Sequence, residues 1–131
     1  MPDVLLVDDN AINRFFNFEL LTSKGFTIDN ARNGLEAVEL LKKAEYKIVL
    51  LDIEMPVMSG IETIRYIREK MDKPVRDMTV IAVTIHEEYI FEKSFREMGF
   101  TDALIKPYKP EALIKLVNKY IHQYKTKMYE K

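Results

Sequence analysis

In Ile48-Val49-Leu50-Leu51-Asp52-Ile53-Glu54-Met55-Pro56, four apolar residues run without interruption into a single carboxylate. A continuous apolar run of this length reads as a strand covered on both faces, as in a parallel sheet. Asp52 then stands at the carboxyl end of a central strand, where open α/β sheets bind their ligands. Pro56 stops the chain from continuing regularly, and Gly60 follows as a turn signal. Taken alone, Asp52 reads equally well as the start of a turn, so the neighbouring segments have to decide.

Upstream, Val4-Leu5-Leu6-Val7 is a second short apolar run, and it ends in Asp8-Asp9-Asn10. Asn10 is placed to cap a helix whose expected buried stripe is Ile12, Phe16 and Leu20, ending near Lys24-Gly25. Phe26 to Ala31 is expected as a strand, and Asn33-Gly34 opens a helix carrying Ala37, Val38 and Leu41. Downstream of Gly60, a helix turns Ile61, Ile64 and Ile67 inward and Glu62, Arg65, Arg68 and Glu69 outward. Asp72 to Asp77 reads as a surface loop, and Met78 to Val83 as an apolar strand ending at Thr84. A helix from about Glu87 to Met98 stops at Gly99, and a short strand from Ala103 to Ile105 ends at Lys106-Pro107. Pro110 suits the first turn of a last helix, with Leu113, Leu116, Val117, Tyr120 and Ile121 on its apolar face.

Five strands alternating with five helices give an α/β fold with a parallel sheet and helices on both faces. The flavodoxin-like doubly wound order 2-1-3-4-5 is the expected topology. At 131 residues, 47% hydrophobic and 31% charged, the chain is one globular domain. A formal net charge of -1 gives no electrostatic footprint for nucleic acid. The basic stretch from Lys115 to Lys131 reads as a solvated terminal helix. The absence of cysteine excludes disulfides, thiolate metal sites and cysteine nucleophiles. No apolar run is long enough to span a membrane and Met1-Pro2-Asp3 is no signal peptide, so a cytoplasmic protein with no membrane partner is expected.

Four of the strands end in polar residues: Asp8-Asp9, Asp52, Thr84 and Lys106. In a parallel sheet those ends share one edge, so three carboxylates, a hydroxyl and an ammonium converge there. Clustered carboxylates suit a hard cation such as Mg²⁺, and a carboxylate can act as nucleophile to form an aspartyl phosphate. Thr84 and Lys106 are then placed to engage phosphoryl oxygens. Neither a P-loop nor a GxGxxG pattern is present, so the phosphoryl donor has to bring its own recognition.

With these pieces in order, the chain resembles a response-regulator receiver domain of two-component phosphorelay signalling. The matching segments are Leu5-Leu6-Val7-Asp8-Asp9-Asn10, Asn33-Gly34-Leu35-Glu36-Ala37, Leu51 to Gly60, Val83-Thr84 and Lys106-Pro107. Asp8-Asp9-Asn10 with Asn13, and Met55-Pro56-Val57-Met58 before Gly60, look most like receivers of hybrid histidine kinases. Receivers are themselves standing examples of the 2-1-3-4-5 order, so order and resemblance form one expectation. The resemblance implies a receiver domain over residues 1–123 followed by a C-terminal tail, 124–131. It implies that Asp52 is the phosphoacceptor and that Asp8, Asp9, Asp52 and the backbone carbonyl of Glu54 hold Mg²⁺. It further implies that Thr84 and Lys106 contact the phosphoryl group and that Lys106-Pro107 is a cis peptide bond.

Three positions depart from the family's pattern. Ala103 stands where an aromatic residue usually swings with the threonine, Ile85 where a small residue usually follows it, and Ser59 where an acidic residue is common. The first two leave phosphorylation in place but not the usual threonine-to-aromatic switch; Ser59 is read as neutral. Phe15 and Phe18 on the first helix, and Tyr89, Ile90 and Phe91 on the fourth, read either as peripheral core or as contact surfaces. On the second reading the first helix docks a histidine kinase or histidine phosphotransfer domain, with Phe15 as anchor, and the fourth faces an output partner. The protein is then a phosphoacceptor and not an enzyme. The alternatives are a constitutive protein-binding module, and a phosphohydrolase with an aspartate nucleophile, whose Asp-x-Asp pattern Asp8-Asp9-Asn10 does not fit. Packing the three carboxylates together is expected to raise the folded-state pKa of at least one of them.

Overall fold

The computed structural model describes residues 1–87 and 93–129. In chain order the elements are β1 (Val4–Val7), α1 (Ala11–Ser23), β2 (Ile28–Ala31), α2 (Gly34–Lys43) and β3 (Ile48–Asp52). They continue with α3 (Gly60–Lys70), a 3₁₀ turn (Val75–Asp77), β4 (Thr79–Thr84), α4 (Lys93–Glu97), β5 (Asp102–Ile105) and α5 (Pro110–Tyr129). The sheet order is β2-β1-β3-β4-β5, with every adjacent pair parallel. β3 lies at the centre, Ile48 opposite Val4 on one side and Thr79 on the other, and all five of its residues are buried.

The period of two along each strand sends alternate side chains to two separate cores. Val4, Leu6, Ile48, Leu50, Ile81 and Val83 pack with Leu21 of α1 and with Leu113, Val117, Tyr120 and Ile121 of α5. Leu5, Val7, Val49, Leu51, Val80 and Ala82 pack with Ala37 and Leu41 of α2, Ile64 and Ile67 of α3, and Phe95 of α4. The continuous apolar runs in the sequence are thus strands covered on both faces. α5 runs on through residues 124–129, which the sequence placed in a C-terminal tail.

Helix starts are set by polar caps. Asn10 Oδ1 accepts from the amides of Ile12 and Asn13, both at 3.0 Å, and Asn33 Oδ1 accepts from Glu36 N at 2.9 Å. Ser59, read as neutral in the sequence, forms a capping box: its Oγ accepts from Glu62 N, and Glu62 Oε1 accepts from Ser59 N. Such caps contribute about 1 kcal/mol each. α3 therefore begins immediately beyond the loop that follows Asp52. Gly60 is required there, because a Cβ would collide with the Asp52 carbonyl and with Ile53 Cα. In that loop Met58 N donates to Pro56 O at 2.7 Å across Val57, whose φ is 69°, a γ-turn.

Two expectations are corrected. α1 is rotated from the predicted stripe: Leu21 is buried, Arg14, Asn17, Phe18 and Leu20 are half-buried, and Ile12 and Phe16 are 68% and 65% exposed. The cause is that α1 is apolar nearly all round, and Arg14 and Asn17 both have inward partners. Arg68, expected outward, is half-buried, and its guanidinium donates to the carbonyls of Gly99, Arg76 and Met78 at 2.9, 2.8 and 2.7 Å. It ties α3 to the segments that lead into β4 and β5. The first part of the predicted fourth helix, with Tyr89, Ile90 and Phe91, lies outside the described residues.

Candidate functional site

The carboxyl ends of β1, β3, β4 and β5 are consecutive in the sheet, so Asp8, Asp52, Thr84 and Lys106 meet at one edge. Their backbones are held in the ladder: Asp8 N donates to Ala31 O at 3.1 Å, Ile53 N to Val83 O at 3.1 Å, and Lys106 N to Thr84 O at 2.8 Å. The site is therefore built on strand ends, with little freedom in the main chain.

Asp52 is 5% exposed and Asp8 4%, while the neighbouring Asp9 faces solvent. Asp52 Oδ1 accepts from Glu54 N at 3.0 Å, and its Oδ2 accepts from the Lys106 ammonium at 3.1 Å. Asp8 Oδ1 accepts from Asn10 N at 2.9 Å, and the Asp8 carbonyl accepts from Arg14 at 2.7 Å. Each buried carboxylate thus fixes itself on the backbone amide two residues ahead, an Asx turn. The carboxylates of Asp8, Asp9 and Asp52 each offer an oxygen within 4.8 Å of the others. Two buried carboxylates and a third at the rim, all hard oxygen donors at this spacing, fit a Mg²⁺ ion that keeps several waters.

Charge at the site follows from this crowding. Burial pushes the Asp8 carboxyl above its ordinary value, against the pull of the Asn10 amide, and the charge of Asp52 raises it further. The expected upward shift is present, with burial rather than mutual repulsion as its main cause. For Lys106, burial works against the charged form, but the hydrogen bond and charge of Asp52, with Asp8, outweigh it and raise the ammonium.

Thr84 is 1% exposed, and its Oγ accepts from His86 N at 3.0 Å, which leaves the hydroxyl proton to be donated. Glu54 contributes its amide to Asp52, and its own side chain pairs with the His86 ring. The Lys106–Pro107 peptide is cis, as the resemblance implies, and Lys73–Pro74 is cis as well. Ala103 packs partly buried against the second core, and Ile85 is 58% exposed.

Some of the arrangement was not read from the sequence. His86 beside Glu54 and Asn17 donating to Tyr108 Oη at 2.8 Å are partnerships between distant segments, while Arg14 reaches back six positions to the Asp8 carbonyl. The one available signal was position: His86 follows Thr84 by two residues, and Tyr108 follows Lys106 by two.

A cavity of about 470 Å³ opens beside Lys106, lined by Asn13, Phe16, Asn17, Ile85, Lys106, Pro107 and Tyr108. Exposed apolar side chains of Ile12, Phe15, Phe16 and Ile85 belong to the same α1 and β4 ends. Among the described residues, no helix is long and apolar enough to cross a membrane.

Comparison with known proteins agrees with this geometry. The chain is 33% identical over 129 residues to hybrid signal transduction histidine kinase B of Dictyostelium discoideum, covering 91% of this chain but only 7% of that protein. The chemotaxis response regulator CheY4 of Vibrio cholerae superposes with a TM-score of 0.82 at 28% identity, covering 92% of this chain and 98% of that one. The receiver domain of sensor histidine kinase PA1611 from Pseudomonas aeruginosa, solved with magnesium in its active-site cleft, gives 0.80 at 27% identity, covering 92% and 98%. Residues 4–118, from the first strand into the last helix, match the family described as the response regulator receiver domain, and the chain belongs to that family.

Proposed function

We propose that the chain is a phosphoacceptor that takes a phosphoryl group from a phosphohistidine donor onto Asp52 in a Mg²⁺-dependent reaction. The observation that carries this is Asp52 itself, a buried carboxylate held by Lys106 at 3.1 Å and grouped with Asp8 and Asp9. An Asp52 oxygen attacks phosphorus, the P–N bond to the donor imidazole breaks with its electron pair left on nitrogen, and an acyl phosphate P–O bond forms. Asp8, Asp9, Asp52 and the Glu54 carbonyl would hold the metal. When bound, it would neutralise charge on the phosphoryl oxygens. Lys106 supplies a positive charge already in contact with the nucleophile, and the Thr84 hydroxyl supplies a donor.

On this reading the protein is a cytoplasmic switch and not a turnover enzyme, and residues 1–123 are the receiver unit. The donor docks on α1. Phe15 and Phe16, edge to face at 6.2 Å, and the cavity between α1, Ile85 and Tyr108 offer an apolar surface next to Lys106, the partner of Asp52. The kinship with a hybrid kinase supports a histidine kinase or histidine phosphotransfer domain as that donor.

Intact mass after exposure to acetyl phosphate, with Mg²⁺ or with EDTA, is the test. One phosphate should add only with Mg²⁺, and Asp52→Asn should remove it. An unchanged phosphorylated fraction in Asp52→Asn overturns the assignment.

A further inference from the structure

We infer that Tyr108 is a positioning residue for Lys106, tethered to α1 by Asn17; this rests on the phosphoacceptor reading of Asp52. Lys106 needs placing from both sides. On its amino side the backbone is fixed, Lys106 N donating to Thr84 O at 2.8 Å. On its carboxyl side the ladder stops, because Pro107 has no N–H to give and is exposed. α5 begins only at Pro110, with the Lys109 carbonyl accepting from Ala112 N and Leu113 N, so among the described residues Pro107 and Tyr108 are the stretch between sheet and helix that no backbone hydrogen bond holds.

Tyr108 closes that gap. Its ring is half-buried against the core shared by α1 and α5, and its hydroxyl accepts from Asn17 Nδ2 at 2.8 Å, across 91 positions of sequence. Among the described residues, this is the one side-chain hydrogen bond that joins the loop to α1. Asn17 is half-buried on the inward side of a helix that leaves Ile12, Phe15 and Phe16 exposed, a placement that burial of apolar surface alone does not favour. The bond gives that placement a use. It clamps the loop after Lys106 to the helix that follows the Asp8-Asp9 loop, so the ammonium and the acidic cluster are referenced to each other.

Lys106 has a long side chain with four rotatable bonds, and the bond to Asp52 draws on the position of its Cα. A misplacement of about 1 Å at a reacting group can cost up to about a hundredfold in rate. Losing one tether while the ring stays packed should cost less, about five- to tenfold.

Tyr108→Phe keeps the ring and removes the hydroxyl; Asn17→Ala removes the other half. The phosphorylation rate of Asp52 is measured against acetyl phosphate concentration at saturating Mg²⁺, and Mg²⁺ affinity is measured separately by calorimetry. Each variant should lower the saturating rate about five- to tenfold and leave the half-saturating donor concentration and the Mg²⁺ affinity unchanged. The double variant should be no slower than either single, because the two groups act through one bond. A rate in Tyr108→Phe equal to wild type overturns the proposal, as does a matching loss of Mg²⁺ affinity, which would mean general loosening of the site. The Lys106 ammonium signal in ¹H–¹⁵N spectra is the second readout. It should be protected from exchange in wild type and broadened in Tyr108→Phe; equal protection in both overturns the positioning role. If wild type takes no phosphate, the phosphoacceptor reading fails, and the ammonium signal decides the role of Tyr108 on its own.

Discussion

α1 and α5 lie on the same face of the sheet, yet they use their apolar residues in opposite ways. α5 commits Leu113, Val117, Tyr120 and Ile121 to the core, with none of the four more than 8% exposed. α1 commits one fully buried side chain, Leu21, and leaves Ile12, Phe15 and Phe16 exposed at 68%, 61% and 65%. Polar Asn17 and Arg14 take inward positions that a purely structural helix would give to aliphatic residues. A helix that exposes Phe15 and Phe16 while it turns Arg14 and Asn17 inward carries an apolar patch that its own packing does not use. The exposed residues cluster on the half of α1 next to Asp9, the face on which the proposed phosphodonor would dock.

The largest expected effects are at the buried ends of both helices. Leu113→Ala and Leu21→Ala each delete a side chain of 0% exposure and should destabilise by about 2–5 kcal/mol. At this chain length that is a fall in melting temperature of roughly ten degrees, read by calorimetry or circular dichroism. The comparison breaks if Leu21→Ala costs less than about 1 kcal/mol, since α1 would then be a loosely held helix and its exposed aromatics a sign of poor packing.

The same contrast marks what the sequence could and could not disclose. The strands were legible because four uninterrupted apolar residues in β1 and in β3 leave no other element type that buries both faces. The convergence of the candidate residues was legible because a parallel sheet places every strand end on one edge, so bringing Asp8, Asp52, Thr84 and Lys106 together needed only the strand assignments. The face of α5 was legible because its apolar residues occupy one stripe. α1 offered two competing stripes, and choosing Ile12-Phe16-Leu20 over the face centred on Leu21 needed the partners of Arg14 and Asn17, which are Asp8 in the loop before α1 and Tyr108 in the loop after β5. Arg68 misled for the same reason: a charged residue reads as solvent-facing until the three carbonyls it binds are assembled around it.

A smaller effect is expected where α1 begins. Two charges 4.8 Å apart repel by about 3 kcal/mol at an effective dielectric of about 20. Exposure of Asp9 and the charge of Lys106 reduce this, and a carboxylate ahead of a helix N-terminus returns a few tenths of a kcal/mol. Asp9→Asn should therefore stabilise the metal-free protein by about 0.5–1 kcal/mol, and blunt the gain on adding Mg²⁺, about 2.7 kcal/mol at a hundredfold excess over Kd. Melts in EDTA and in Mg²⁺ at matched ionic strength check both. The pH dependence has a fixed sign. Asp8, raised in the fold, costs stability when ionised, so metal-free wild type should gain stability as pH falls through that raised value toward the ordinary 3.8. Asp3 is lowered despite its burial, by Lys47 and Thr27, and the stability it contributes is lost only as pH falls below 3.8. The two windows lie on opposite sides of 3.8, so a melting-temperature profile separates them. A wild type that ignores Mg²⁺, together with an Asp9→Asn protein that melts lower in EDTA, would remove the metal site.

The smallest effect on stability is the one that bears most directly on why α1 differs from α5. Phe15→Ala and Phe16→Ala each trade an exposed ring for the best helix former, a gain of about 0.5 kcal/mol in propensity. Against it stands the edge-to-face pair between the two rings, worth about 0.5–1.5 kcal/mol when well ordered and less on an exposed surface. The terms nearly cancel, so the melting temperature should stay within about 2 °C of wild type, and phosphorylation by acetyl phosphate should be unchanged because the groups that hold Asp52, Thr84 and Lys106 are Glu54, His86 and one another, not these rings. Phosphotransfer from a histidine-phosphorylated kinase domain should behave differently, slowing about tenfold or more at subsaturating donor, since burying one such ring at an interface is commonly worth 1–3 kcal/mol. A melting temperature that falls by ten degrees would make the aromatics part of the fold after all. Equal transfer rates from the protein donor in wild type and in both variants would leave the exposed face of α1 without a role in docking, and α1 would differ from α5 only in how tightly it packs.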